Sequence, residues 1–182
     1  MKSRLIFTAT LLCVTLFVPL ALFGQDFVMD GTVLVSYWGN AANVTIPEGV
    51  TAIGMYAFEF CTKLISVTIP MGVTAIGEYA FWGCERLTSI TIPTSITSIG
   101  NYAFFMSGSL TSINILSSVT SIGDWAFSGC TSLTNIVIPS SVTSIGSSAF
   151  DGCTSLRTVT VSRRTTIGID AFPNGVRISY SD

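Results

Sequence analysis

From Val44 to Leu64 the chain reads VTIPEGVTAIGMYAFEFCTKL, and from Val67 it reads VTIPMGVTAIGEYAFWGCERL. The pattern restarts at Ile90, Ile113, Ile136 and Val159, each 23 residues after the last. A fixed period over six copies restricts the fold more than any local signal, because every copy must take one shape and pack on its neighbour. One such coil cannot bury its own apolar edge. Stacked coils can, and their extended segments then form parallel sheets along the stack. At ~4.8 Å per strand, six coils make a rod on the order of 25–30 Å long.

Each column of the repeat implies a local structure. In SVTIP, Val67 and Ile69 alternate with Ser66 and Thr68, the period of a half-buried strand that Pro70 ends. VTAIG is a second short extended piece with Val73 and Ile76 inward. Gly77 is expected to supply a turn that other residues take reluctantly. EYAFWGC reads as one short helical turn that packs Ala80, Phe81 and Cys84 inside. The isoleucine-glycine pair and the Ala-Phe pair recur in all six copies, the last after a one-residue deletion. The solenoid is expected over residues 44–182, its last coil irregular and closing the stack through Val176, Ile178 and Tyr180. An N-terminal cap is expected over 25–43, where Asp30-Gly31 separates the alternating runs Phe27–Met29 and Val33–Tyr37 as a hairpin turn does.

Residues 1–24 differ in kind. Lys2 and Arg4 precede the apolar run LLCVTLFVPLALFG, the pattern of a secretory signal peptide, with cleavage expected after Gly24 or alternatively Ala21. A membrane anchor is the competing reading, but the run is short and contains Pro19. No second apolar span follows, so the mature chain is expected to be soluble and exported. Lys63, Arg86, Arg157, Arg163, Arg164 and Arg177 face ten acidic residues, which disfavours a nucleic-acid partner. The absence of histidine, of a nucleophile motif and of a phosphate-binding loop disfavours an enzyme or a cofactor site. Glu78 and Asp124 share a column, while Glu48 and Asp151 stand in others, so a paired-carboxylate site would be accidental.

The run Leu87–Ile90–Ile92–Pro93–Ile96–Thr97–Ile99–Gly100–Ala103–Phe104 resembles, position by position, the consensus of the BspA-like, treponemal-type class of leucine-rich repeat. The resemblance extends over residues 26–172. It implies a leucine-rich-repeat solenoid of parallel strands, short extended segments and short helical turns, entered through a hairpin-like cap. It further implies a non-enzymatic protein of a bacterial or protist cell surface, or a secreted one, that binds other proteins in adhesion, host matrix or cell-surface proteins among them. Departures cluster in the third and fourth coils, where Leu116 replaces proline, Ser107 replaces cysteine and Met106 stands where Gly83, Gly129 and Gly152 stand elsewhere.

The mature cysteines, Cys61, Cys84, Cys130 and Cys153, fill one column. In an exported chain they invite the disulfides Cys61–Cys84 and Cys130–Cys153. Parallel side chains ~4.8 Å apart suit a disulfide poorly, so a buried thiol ladder is favoured. Without histidine, and with the pairs about two coils apart, no metal site is expected. The threonine column from Thr51 to Thr165 suits the solvated side of a strand and needs no lattice-binding function. Binding is expected where the repeat departs from itself. Tyr102 and Trp125 belong to an aromatic column with Tyr56 and Tyr79, which is either a contact surface or a stripe shielding the coil edge. Trp82, Phe105 and Met106 break their columns and are the sharper partner-binding candidates. Thr68, Thr91 and Asn114 would line a flat sheet face. A monomer that binds proteins is the favoured reading; a self-assembling surface-layer module is the alternative.

Overall fold

A computed structural model describes residues 26–181. The expected signal peptide and Cys13 lie outside the described residues. The strands, in chain order, are β1 (Phe27–Asp30), β2 (Val33–Tyr37), β3 (Asn43–Thr45), β4 (Ala52–Ile53), β5 (Ser66–Thr68), β6 (Ala75–Ile76), β7 (Ser89–Thr91), β8 (Ser98–Ile99), β9 (Ser121–Ile122), β10 (Asn135–Val137), β11 (Ser144–Ile145), β12 (Thr158–Ser162), β13 (Thr166–Ile167) and β14 (Arg177–Ser181). They stack into a solenoid with three walls.

The first wall is the SVT strands. Val67 and Ile69 are buried while Thr68 is exposed, as the alternation requires. Pairing is parallel and in register, Val44 to Val67 to Ile90 in β3-β5-β7, and Ile136 to Val159 to Ile178 in β10-β12-β14. Between these sheets the wall is broken. The coil carrying Asn114 and Leu116 contributes only the isolated bridge Ser112 to Asn135, and a shallow hollow of about 200 Å³ opens beside it. This coil lacks both the threonine that favours a strand and the proline that sets its end.

The second wall is an eight-stranded sheet, β1-β2-β4-β6-β8-β9-β11-β13. The hairpin β1–β2 is antiparallel, turns at Gly31 with φ 60°, and adds to β4 as the expected cap. Threonine reinforces this wall. The hydroxyls of Thr74, Thr97, Thr120 and Thr143 each donate to the threonine carbonyl one coil back, at 3.2, 3.2, 3.1 and 3.1 Å. Those donors are committed to the backbone, which accounts for the column.

The glycine column has a different cause from the expected turn. Gly77 and Gly100 do not take positive φ. A Cβ on Gly77 would meet Ile53 O at 2.7 Å, and one on Gly100 would meet Gly77 C at 2.7 Å and Glu78 N at 2.8 Å. Neighbouring coils touch backbone to backbone here, and only a hydrogen fits between them.

The third wall corrects the expected helical turn. No helix forms among the described residues; in the first five coils each AF segment is a turn. In the second coil the amides of Tyr79, Phe81 and Gly83 donate to Asn101 O, Ala103 O and Phe105 O of the next coil, at 3.0, 2.7 and 2.9 Å. The alternate amides of Ala80, Trp82 and Cys84 donate three residues back within the coil, to Gly77, Tyr79 and Phe81. Half of the donors a helix would use therefore serve the stack instead, and the backbone stays satisfied. The geometry needs left-handed backbone at two places per coil, Tyr79 (φ 54°) and Gly83 (φ 66°), which a right-handed helix cannot contain.

Inside the three walls Phe58, Phe81, Phe104, Phe127 and Phe150 are fully buried, and with Phe172 they stack at 4.9, 5.2, 5.1, 5.1 and 5.3 Å. The one-residue deletion in the last coil is absorbed at Thr165, whose hydroxyl donates to Val142 O at 2.8 Å as Ser95 does to Val73 O at 2.6 Å.

Candidate functional site

The cysteine column is chemical only in appearance. Among the described residues, Cys61, Cys84, Cys130 and Cys153 form no disulfide. Cys84, Cys130 and Cys153 donate to the phenylalanine carbonyl of the preceding coil, Phe58, Phe104 and Phe127, at 3.1, 3.3 and 3.1 Å. Ser107 makes the same bond to Phe81 O at 3.0 Å. The column thus requires a small buried donor, and a hydroxyl serves as well as a thiol. Burial pushes the Cys153 thiol up to about 12 and holds Cys130 well above its ordinary value. Neither is a nucleophile near neutral pH.

The acidic column at the corner between the second and third walls is also scaffold. Asn101 Nδ2 donates to Glu78 Oε1 at 3.1 Å, Asp124 N–H donates to Asn101 Oδ1 at 2.9 Å, and Ser147 N–H donates to Asp124 Oδ1 at 2.6 Å. Each side chain satisfies a group on the neighbouring coil. Beside them runs an open groove of about 400 Å³ floored by Ser98, Ser121 and Ser144. It holds no convergent reactive pair.

The predicted partner-binding residues fall on two different walls. Thr68 and Thr91 are exposed on the intact β5 and β7, while Asn114 is exposed on the broken coil beyond them. Trp82, Tyr102, Phe105, Met106 and Trp125 all lie on the turn wall, and that wall brings them together. Tyr56, Tyr79, Tyr102 and Trp125 form a ladder of near-parallel rings with centroids 4.9, 4.6 and 6.1 Å apart. Trp82 sits beside it, 5.5 Å from Tyr79, and Phe105 stands edge-on to Tyr102 at 5.6 Å and to Trp125 at 6.4 Å. Every member of the ladder has left-handed backbone, with φ of 60°, 54°, 54° and 55°. The aromatic column is a self-stacked stripe, with Tyr56 exposed at one end and Tyr79, Tyr102 and Trp125 half-buried.

The same wall contains a residue that sequence reasoning missed. Phe60 occupies the second left-handed position of its coil, the one held by Gly83, Gly129 and Gly152 elsewhere and by Met106 in the third coil. Phe60 (φ 51°) and Met106 (φ 59°) are bulky side chains at a position where glycine carries no strain. Both are exposed, at 47 and 55 %. The Phe60 ring lies 4.6 Å from Trp82 and covers the space where a Cβ on Gly83 would stand. The signal was present in the sequence, since Phe60 interrupts the same glycine column as Met106.

The BspA-type leucine-rich repeat profile matches residues 36–107 and 97–180, in six copies. Among solved structures the chain is similar to the Treponema pallidum leucine-rich repeat protein, at 29 % identity over 85 % of this chain and 84 % of that one, TM-score 0.74. It is similar to a leucine-rich cell surface protein of Faecalibacterium prausnitzii A2-165, at 30 % identity over 89 % of this chain and 55 % of that one, TM-score 0.73. The pneumococcal vaccine antigen PcpA shares the fold, at 22 % identity over 86 % of this chain and 40 % of that one, TM-score 0.72. No curated protein matches the chain.

Proposed function

From the premise that the chain belongs to the BspA-type leucine-rich repeat family, we propose that it is an exported, non-enzymatic protein-binding module acting at the cell exterior in adhesion. Its turn wall engages the partner through Phe60, Trp82, Phe105 and Met106, with Tyr102 and Trp125 as the rigid base. One observation carries this reading. At two of five equivalent positions a glycine is replaced by a large, exposed, left-handed residue, at a cost of roughly 1–2 kcal/mol each. Such strain gains nothing in the core and places apolar surface in solvent, which fits contact with a partner. The fixed rings add contact area at little entropic cost. The description of the F. prausnitzii relative as a cell surface protein supports the exterior setting.

The test compares the mature chain with Phe60→Gly/Met106→Gly for binding to a panel of extracellular-matrix and cell-surface proteins. Glycine already holds this position in three coils, so the variant retains the fold. Micromolar binding by the wild type that weakens at least about ten-fold in the variant, with stability unchanged or raised by up to about 3 kcal/mol, is expected. Equal binding by both proteins refutes the assignment of the wall. Protease accessibility on intact cells tests export: protection of the whole population excludes a surface location.

A further inference from the structure

The aromatic ladder stops short of the end of its column. After Tyr56, Tyr79, Tyr102 and Trp125 the next coils place Ser148 and then Asp170 at the same left-handed position, with φ of 53° and 51°. Trp125 lies parallel to Tyr102, at an interplanar angle of 2°, so its other face looks along the stack toward Ser148. A hydroxymethyl group cannot cover an indole. The column thus reads ring, ring, ring, ring, hydroxyl, carboxylate.

The whole wall is acidic. The turn-wall segments from residue 55 to 61, 78 to 84, 101 to 107, 124 to 130, 147 to 153 and 169 to 172 contain Glu59, Glu78, Asp124, Asp151 and Asp170 but neither lysine nor arginine. The basic residues of the described chain lie elsewhere: Lys63 and Arg86 where the chain leaves this wall, and Arg157, Arg163, Arg164 and Arg177 on or beside the first wall. Glu78 and Asp124 are engaged with the neighbouring coil, whereas the acidic character at Asp151 and Asp170 lies beyond the last ring.

Building on the proposed protein-binding role of this wall, we infer that the face of Trp125 turned toward Ser148 takes an arginine side chain from an extended segment of the partner protein. A guanidinium is planar and one ring thick, stacks on an aromatic face and pairs with carboxylates. Over Ser148 it continues the ladder with Trp125 on one face and Asp170 beyond the other, and Asp151 lies in the same coil as Ser148. An ammonium matches the charge but cannot extend the stack, so arginine is preferred to lysine.

The experiment measures binding of three labelled peptides of equal length, alternating glycine with arginine, lysine or serine, to the mature chain at low and high salt. Variants are Trp125→Ser, which repeats the Ser148 solution one coil earlier, and Asp151→Asn/Asp170→Asn. The arginine peptide is expected to bind tightest. Its affinity should fall about five-fold in each variant and fall with salt. An arginine peptide that binds no tighter than the serine peptide, or as well to the variants as to the wild type, overturns the inference. If the matrix panel still distinguishes wild type from Phe60→Gly/Met106→Gly, the arginine site alone is lost and the protein-binding reading stands. Concentration-dependent self-association in sedimentation, abolished by Arg164→Glu/Arg177→Glu, would assign the site to a second copy and also overturn it.

Discussion

Replacing Gly100 by alanine isolates the contact that sets the coil spacing. The new Cβ would stand 2.7 Å from Gly77 C, 2.8 Å from Glu78 N and 3.0 Å from Gly77 O. All three are backbone atoms of the preceding coil, so no side chain can rotate away. The coils must part by roughly 0.5–1 Å, which forfeits a quarter to a half of each dispersion well across that seam. The hydrogen bond from Gly100 N–H to Ile76 O, 2.9 Å long, is stretched with it. Overpacking costs about 1–3 kcal/mol and a weakened hydrogen bond about 1 kcal/mol, while alanine restores about 0.5–1 kcal/mol through the unfolded chain. The net expectation is a loss of about 1–3.5 kcal/mol in urea denaturation followed by tryptophan fluorescence. Two controls separate distance from dihedral. Gly72→Ala meets only Val50 O at 3.2 Å and should stay within about 0.5 kcal/mol of the wild type. Gly152→Ala, at φ 70° with Gly129 N at 3.3 Å, should cost about 1 kcal/mol from backbone strain. A Gly100→Ala protein as stable as Gly72→Ala would refute the close approach as the reason for the glycine column.

The cysteine column makes two further predictions. Cys130→Ser should stay within about 1 kcal/mol of the wild type, because Ser107 already makes this bond, whereas Cys130→Val removes one of the two donors to Phe104 O, leaving the Ser107 N–H at 3.0 Å, and should cost about 0.5–1.5 kcal/mol by the same denaturation assay. Because the folded Cys153 pKa of about 12 lies above its ordinary value of 9.0, the folded state holds that proton longer than the unfolded state. Its contribution is complete below about pH 9 and is lost as pH rises toward about 12, so Cys153→Ser should flatten the alkaline decline in melting temperature.

Much of this fold was legible because a repeat shows its own buried columns. Val67, Ile69, Val73, Ile76, Ala80, Phe81, Cys84 and Leu87 are buried as the alternation indicated, and Asp30-Gly31 turns the hairpin. The turn wall was misread because Ala80, Phe81 and Cys84 would share an interior side in a helical turn and in a stacked turn alike. What separates the two is where the amides of Tyr79, Phe81 and Gly83 donate, and a column of identical residues carries no sign of that. The Ile-Gly column posed a similar ambiguity. Glycine marks either a special φ or a close neighbour, and a sequence shows neither distance nor dihedral. For the candidate site, the departures Trp82, Phe105 and Met106 come together on the turn wall beside Tyr102 and Trp125. Thr68, Thr91 and Asn114 are exposed on the first wall, and polarity alone does not tell one solvated wall from the next.

Removing one whole coil separates scaffold from recognition most directly. Deleting residues 94–116 removes one 23-residue period and joins Pro93 to Ser117, so the junction reads SITIPSSVTSIGDWAF, which follows the repeat throughout. The excised block contains the irregular strand with Asn114 and Leu116, so β7 meets β10 directly and the broken first wall becomes continuous. Phe81 stacks on Phe127, Cys130 donates to Phe81 O in place of Phe104 O, and Asp124 follows Glu78 at the corner. The loss is one seam of stacking, offset by the repaired ladder, so the shortened chain should keep a cooperative transition and the β-rich circular dichroism of the parent. It also lacks Tyr102, Phe105 and Met106, the centre of the proposed binding wall, and should bind the same partners at least about ten-fold more weakly. An unfolded product would refute the equivalence of the coils, on which the whole architecture rests. A folded product with undiminished binding would move recognition off the turn wall, to the sheet face where Thr68 and Thr91 remain.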